Sequence, residues 1–238
     1  MTFTVNLAEV GKDLLPPSNA TQAQGAQQVR THQATAAAVS LIMALSSKFR
    51  SIVTNPDDFV ADLKKALTHS RSESEALGKA GLEQAKRKLG HQTDPRYTDR
   101  YHGPDDMTKK DNKLTEWEAK GNKTDSTAVA KDKQGNLQGS RDKNLLRAKK
   151  MATEKAKKVG LASQRQGGAY TQAEIDLWDE VFDNEGEKQH ISVHANTDTG
   201  QVKVYERDHD GNITRTLEEF RMNNFDEMKQ VIGEAFTK

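Results

Sequence analysis

The sequence predicts an α+β protein in which a mixed sheet flanked by helices follows an all-helical N-terminal segment. Three patterns predict it. Apolar residues fall at helical spacing through much of the first 90 residues. Short alternating segments follow from about residue 97, and amphipathic helix signals return near residues 171 and 225.

Taken in order, residues 1–20 read as an extended segment closed by Pro16 and Pro17. Thr21 to Val53 reads as a long helix rich in Ala and Gln. Its apolar residues Val29, Ala36, Val39, Leu41, Ile42 and Leu45 crowd towards the second half. Asn55, Pro56, Asp57 and Asp58 form a helix start, a capping residue followed by proline and acids. Phe59, Leu63 and Leu67 then recur at i, i+4 and i+8. The polar run Thr68 to Ser74 reads as a linker. It separates a helical segment, 1–70, from a second domain, 71–238.

Glu75 to Leu89 is expected to be helical, with Gly90 as its stop. Tyr97 to Gly103 and Lys113 to Lys120 alternate as strands, with a turn at Asp111-Asn112. A polar loop over 121–135 leads to a basic helix, Arg141 to Val159. Thr171 and Glu174 form a capping box for a helix to Phe182 that uses Ile175 and Trp178. Ile191 to Ala195 and Val202 to Arg207 alternate around a turn at 197–200. Asp210-Gly211-Asn212 is a further turn, and Phe225 to Phe236 is a closing helix.

Composition narrows the chemistry. The chain has no cysteine, which excludes disulfides, thiolate metal sites and a Cys nucleophile. It has no Walker loop and no dinucleotide fingerprint. The most apolar run, Ala36 to Leu45, is far shorter than the about 20 residues a membrane span needs. Met1 to Leu14 lacks the pattern of a Sec signal. The formal net charge is only +1 and mean hydropathy is −0.88. Charge is nevertheless uneven: Lys109 to Arg165 holds sixteen Lys and Arg against seven Asp and Glu.

The residues that can do chemistry lie at Gly103-Pro104-Asp105-Asp106 and Thr115-Glu116-Trp117-Glu118-Ala119-Lys120-Gly121. On a strand, Glu116, Glu118 and Lys120 share one face, and Thr115, Trp117 and Ala119 the other. Glu118 and Lys120 stand about 7 Å apart along it, close enough for their side chains to converge on one ligand. An Asp at the start of the preceding hairpin strand can face them. Two carboxylates suit a hard divalent cation, and a neighbouring Lys suits the charge that builds on a phosphate under attack. By spacing alone, Glu-x-Lys also fits a solvated strand face, and Gly-Pro-Asp-Asp a simple turn.

Taken together, these segments resemble the PD-(D/E)XK, or restriction-endonuclease-like, nucleases, and among them the nuclease modules of bacterial polymorphic toxins. The resemblance rests on Gly81-Leu82-Glu83-Gln84-Ala85, Gly103-Pro104-Asp105, Glu118-Ala119-Lys120-Gly121 and Gln138-Gly139-Ser140, in that order. It covers roughly residues 75–160 and implies a helix, a three-stranded meander and a second helix, with later strands extending the sheet. It implies that Asp105 and Glu118 hold Mg²⁺ or Mn²⁺, that Lys120 acts at the nucleophile, that Glu83 supports the site and that Gln138 contacts phosphate or orients water. Asp106, directly after Asp105, leaves the choice of Asp open. Glu116 is either an extra ligand or a charged neighbour.

The basic helix fits a nucleic-acid partner, with Lys143, Arg147, Lys149 and Lys150 available to the phosphate backbone; a solvated face is the alternative. The resemblance further implies a DNase effector acting against competing bacteria and a cognate immunity protein. It implies synthesis in the bacterial cytoplasm, export by a specialised secretion system and action in the target-cell cytoplasm. The helices of residues 1–70 could dock to a secretion adaptor. The alternatives are a tRNA-cleaving RNase on the same fold and a non-catalytic adaptor or binding protein. His190 and His194 share a strand face and read as structural in preference to a metal pair. Asp208-His209-Asp210-Gly211 lacks the spacing of a calcium loop and reads as a hairpin turn.

Overall fold

In a computed structural model, residues 52–99, 104–129, 131, 135, 137, 140, 171–184 and 186–237 are described. They form an α+β fold, a five-stranded mixed sheet flanked by helices. The expected helix 21–53, the basic helix 141–159, Gln138, Lys143, Arg147, Lys149 and Lys150 lie outside these residues, apart from Ile52 and Val53.

Helix α1, Pro56–Leu67, has proline in its first turn, Asp57 and Asp58 at its positive end, and Lys64 and Lys65 at its negative end. Helix α2, Glu73–Leu89, starts two residues earlier than the apolar pattern predicts. Ser72 supplies the reason: its hydroxyl accepts the Glu75 amide at 3.2 Å. Gly90 ends α2 in the left-handed region, where a side chain is disfavoured.

The expected strand from Tyr97 does not form over the described residues 97–99. Asp94 instead accepts the Arg96 amide and turns the chain, and the Tyr97 hydroxyl donates to the Pro104 carbonyl. The first strand, β1, is Asp106–Lys110, beginning beyond Pro104, which has no amide for the ladder. Asp111 and Asn112, both with positive φ, turn it into β2, Lys113–Asn122.

Helix α3, Gln172–Asp183, carries the expected reciprocal cap between Thr171 and Glu174. Then follow β3 (Gln189–Asn196), β4 (Gln201–Arg207), β5 (Ile213–Arg221) and α4 (Phe225–Phe236). The strands lie in the order β1-β2-β3-β4-β5. The β2–β3 pair is parallel and the other pairs are antiparallel.

Helices α1, α2 and α4 bury one face of the sheet. Phe59, Leu63, Leu77, Leu82, Trp117, Val193, Val204, Met228 and Ile232 belong to that core. Phe59 and Leu63, from the expected 1–70 segment, thus share a core with the sheet. On the other face, α3 packs Leu177, Trp178 and Val181 with Tyr97, Met107 and Leu114. Helix α2 sits very close to the end of β2. A Cβ on Gly78 would stand 2.8 Å from the Gly121 amide nitrogen, and one on Gly121 only 1.8 Å from the Ser74 carbonyl oxygen. Glycine at both positions therefore fixes how near α2 comes to Lys120.

Candidate functional site

Strand β2 positions the site. Its alternation holds Trp117 and Ala119 in the core under α2 and sends Glu116, Glu118 and Lys120 to the opposite face. The Lys120 ammonium stands 3.4 Å from Glu118 Oε1, and 28% of the Lys120 side chain is exposed. Glu118 itself is buried.

Asp105 completes the group. Its amide donates to the Trp117 carbonyl at 3.0 Å, one residue out of the β1–β2 register, in which Trp117 pairs with Asp106. Its side chain then replaces the next backbone acceptor: the Ala119 amide donates to Asp105 Oδ2 at 2.8 Å. The carboxylate is thus bonded to the residue directly after Glu118 and lies within the field of Lys120. Burial raises the Asp105 pKa, while Lys79, the Ala119 amide and Lys120 oppose that shift. Even so, 18% of its side chain remains exposed, so a small ion can reach it.

Asp106 has different partners. It is fully buried, paired with the Lys86 ammonium, and accepts the Thr93 hydroxyl at 2.8 Å. Of the two adjacent acids, Asp105 is the one bonded to the backbone amide that follows Glu118. Glu116 pairs with Lys188 at 2.8 Å, both buried, which matches the charged-neighbour alternative. Glu83 lies 2.9 Å from Lys86 on α2. The side chain of α2 that reaches Asp105 is Lys79, one helical turn before Glu83, at 4.0 Å. Lys79 escaped the sequence reading, because its partners Thr68, Asp99 and Asp105 lie on other segments of the chain.

Further along the same face, Arg207 donates to the Ser192 hydroxyl at 2.7 Å and to the carbonyls of Gly211 and Thr127. It stands 3.3 Å from His194 Nε2. The His194 pKa falls to about 4, through burial first and then the charges of Arg207 and Lys120, against a Ser126 backbone contact. His194 is therefore neutral at pH 7. His190 packs edge-on against His209. Asp208 accepts the Asp210 and Asn212 amides, so 208–211 form a hairpin turn.

Among the described residues, no three His, Asp or Glu side chains gather into a ready metal site. Asp105, bonded to the Ala119 amide, and Glu118, the residue before Ala119, are the two carboxylates available at this strand. That set fits Mg²⁺ or Mn²⁺, which bind through one or two carboxylates and keep several waters. A buried carboxylate whose pKa burial raises also fits, because a cation favours its charged form. No family model, characterised protein or solved structure matches the chain. Among the described residues, no helix is long and apolar enough to cross a membrane.

Proposed function

We propose that the chain is a divalent-metal-dependent nuclease of the restriction-endonuclease-like kind, with Asp105 and Glu118 holding Mg²⁺ or Mn²⁺ and Lys120 acting at the phosphate. One observation carries the reading. The Asp105 carboxylate is tied to the Ala119 amide, between Glu118 and Lys120 in the chain, and Lys120 stands 3.4 Å from Glu118. The five-stranded mixed sheet with helices on both faces is compatible with it.

A divalent cation bound there would supply Lewis acidity towards a phosphate oxygen. Asp105 and Glu118 supply the negative charge that holds it. Glu118 also keeps the Lys120 ammonium directed at the same place. Lys120 donates hydrogen bonds to the oxygens on which charge builds as the phosphodiester is attacked, or to the attacking water.

The resemblance alone favours DNA over RNA and supplies the wider role, an exported antibacterial toxin with a cognate immunity protein. Gln138, Glu83 and the basic residues Lys143, Arg147, Lys149 and Lys150 belong to the proposal on the same footing. The test is incubation of purified protein with plasmid DNA and, separately, with total RNA, each with Mg²⁺ and with EDTA. Cleavage of plasmid with Mg²⁺ alone is the expected result. Cleavage of RNA alone would move the substrate, and cleavage of neither would remove the enzyme.

A further inference from the structure

Lys79 is the residue around the site for which the proposed chemistry has no use. Only 4% of its side chain is exposed. Its ammonium donates to the Thr68 carbonyl at 3.1 Å and to Asp99 Oδ2 at 3.4 Å, and stands 4.0 Å from Asp105 Oδ1. Asp99 in turn lies 3.8 Å from His69 Nδ1. A lysine normally extends into water from a helix surface, and burying its charge is costly unless it is paired. Here the helix gives it no way out. The Gly78–Gly121 contact seats α2 directly on the end of β2, so residue 79 is delivered to the edge where Asp105 sits.

We propose that Lys79 is a built-in counter-ion that neutralises Asp105 in the metal-free chain and, by competing for that carboxylate, weakens the binding of the divalent cation. The inference rests on the nuclease reading of Asp105 and Glu118. Its physical basis is simple. The ammonium stands 4.0 Å from Asp105 Oδ1, so its positive charge acts on that carboxyl before any cation arrives. When a cation arrives, two positive groups address one carboxylate, and their mutual repulsion subtracts from affinity. Lys79 touches neither substrate nor reacting atoms in this account, so it is a positioning residue.

The experiment uses the full chain and Mn²⁺ as the probe, at pH 8. Mn²⁺ affinity is measured by calorimetric titration. Thermal unfolding is followed with Mn²⁺ and with EDTA, for the wild type, Lys79→Met, Lys79→Arg and Asp105→Asn. Lys79→Met is expected to bind Mn²⁺ at least fivefold more tightly and to gain more in Tm from Mn²⁺ than the wild type does. Lys79→Arg, which keeps the charge, stays within twofold of the wild type. A Lys79→Met chain that folds only with Mn²⁺ is the same result in its extreme form. Unchanged or weaker Mn²⁺ affinity in Lys79→Met, or a chain that stays unfolded with Mn²⁺, overturns the inference. The arms separate the two ideas. A wild type that takes up no Mn²⁺, or an Asp105→Asn chain that binds it normally, sinks the metal-site reading. Wild-type binding lost in Asp105→Asn but unaltered by Lys79→Met sinks the counter-ion alone.

Discussion

The Asp105 carboxylate accepts the backbone amide of Ala119 at 2.8 Å, where a regular ladder would offer a backbone carbonyl. Asp105 is therefore fixed by the strand that bears Glu118, and its neighbour Asp106 is committed to Lys86.

That division of labour makes the two acids separable by experiment. Asp105→Asn keeps an acceptor for Ala119 and is expected to cost about 1 kcal/mol or less in stability while reducing cleavage at least about 100-fold. Asp106→Asn removes the fully buried carboxylate beside Lys86, which keeps Glu83 at 2.9 Å, and is expected to cost about 1.5–3 kcal/mol. Urea unfolding and plasmid cleavage, measured side by side, distinguish the pair. A stable, inactive Asp106→Asn with an active Asp105→Asn would reverse the assignment.

The contact between α2 and β2 predicts a large cost at Gly121. An alanine Cβ there would stand 1.8 Å from the Ser74 carbonyl oxygen, a backbone atom that cannot swing aside. Gly121→Ala should lose about 3 kcal/mol or more as α2 is pushed off the strand. Gly233→Ala in α4 is the control. Nothing lies within 4 Å of its Cβ position, and alanine should gain about 0.5–1 kcal/mol from helix propensity. Denaturant midpoints for the two variants should move in opposite directions.

His194 makes stability depend on pH in a defined window. Its pKa is about 4 in the folded chain against an ordinary 6.5. Between those values the unfolded chain binds the additional proton. The contribution of His194 is thus fully present above pH 6.5 and is lost as pH falls towards 4, by about 3 kcal/mol in all. Comparing unfolding free energies at pH 7.5 and 4.5 for the wild type and His194→Gln isolates that part. The wild type should lose more on acidification. Equal losses would mean that His194 is not held neutral by its surroundings.

What could be read in the sequence follows from the range of the forces involved. Caps and turns are local, so Thr171 with Glu174, the Asp111-Asn112 turn and the bounds of the last helix were legible. Strand alternation placed Glu116, Glu118 and Lys120 on one face, and the register agrees. Strand β5 went unread because it is an edge strand whose residues, such as Thr214, Arg215 and Glu219, are largely exposed and give no apolar period. Over the described residues 97–99 the strand expected from Tyr97 is absent, and the Asp94–Arg96 turn stands directly before them. Choosing between Asp105 and Asp106 required the position of Lys86, twenty residues upstream of Asp106 in the chain. Lys79 was hidden for the same reason. A lysine on a helix reads as solvated until a distant carboxylate is placed beside it.

The most direct measurement is Mg²⁺-dependent cleavage of plasmid DNA by the wild type, Glu118→Gln and Lys120→Ala, with circular dichroism on each. The account predicts that the wild type cuts, that EDTA stops it, and that both variants keep the fold and lose at least about 100-fold in rate. A folded Glu118→Gln or Lys120→Ala chain that cuts at the wild-type rate would contradict it.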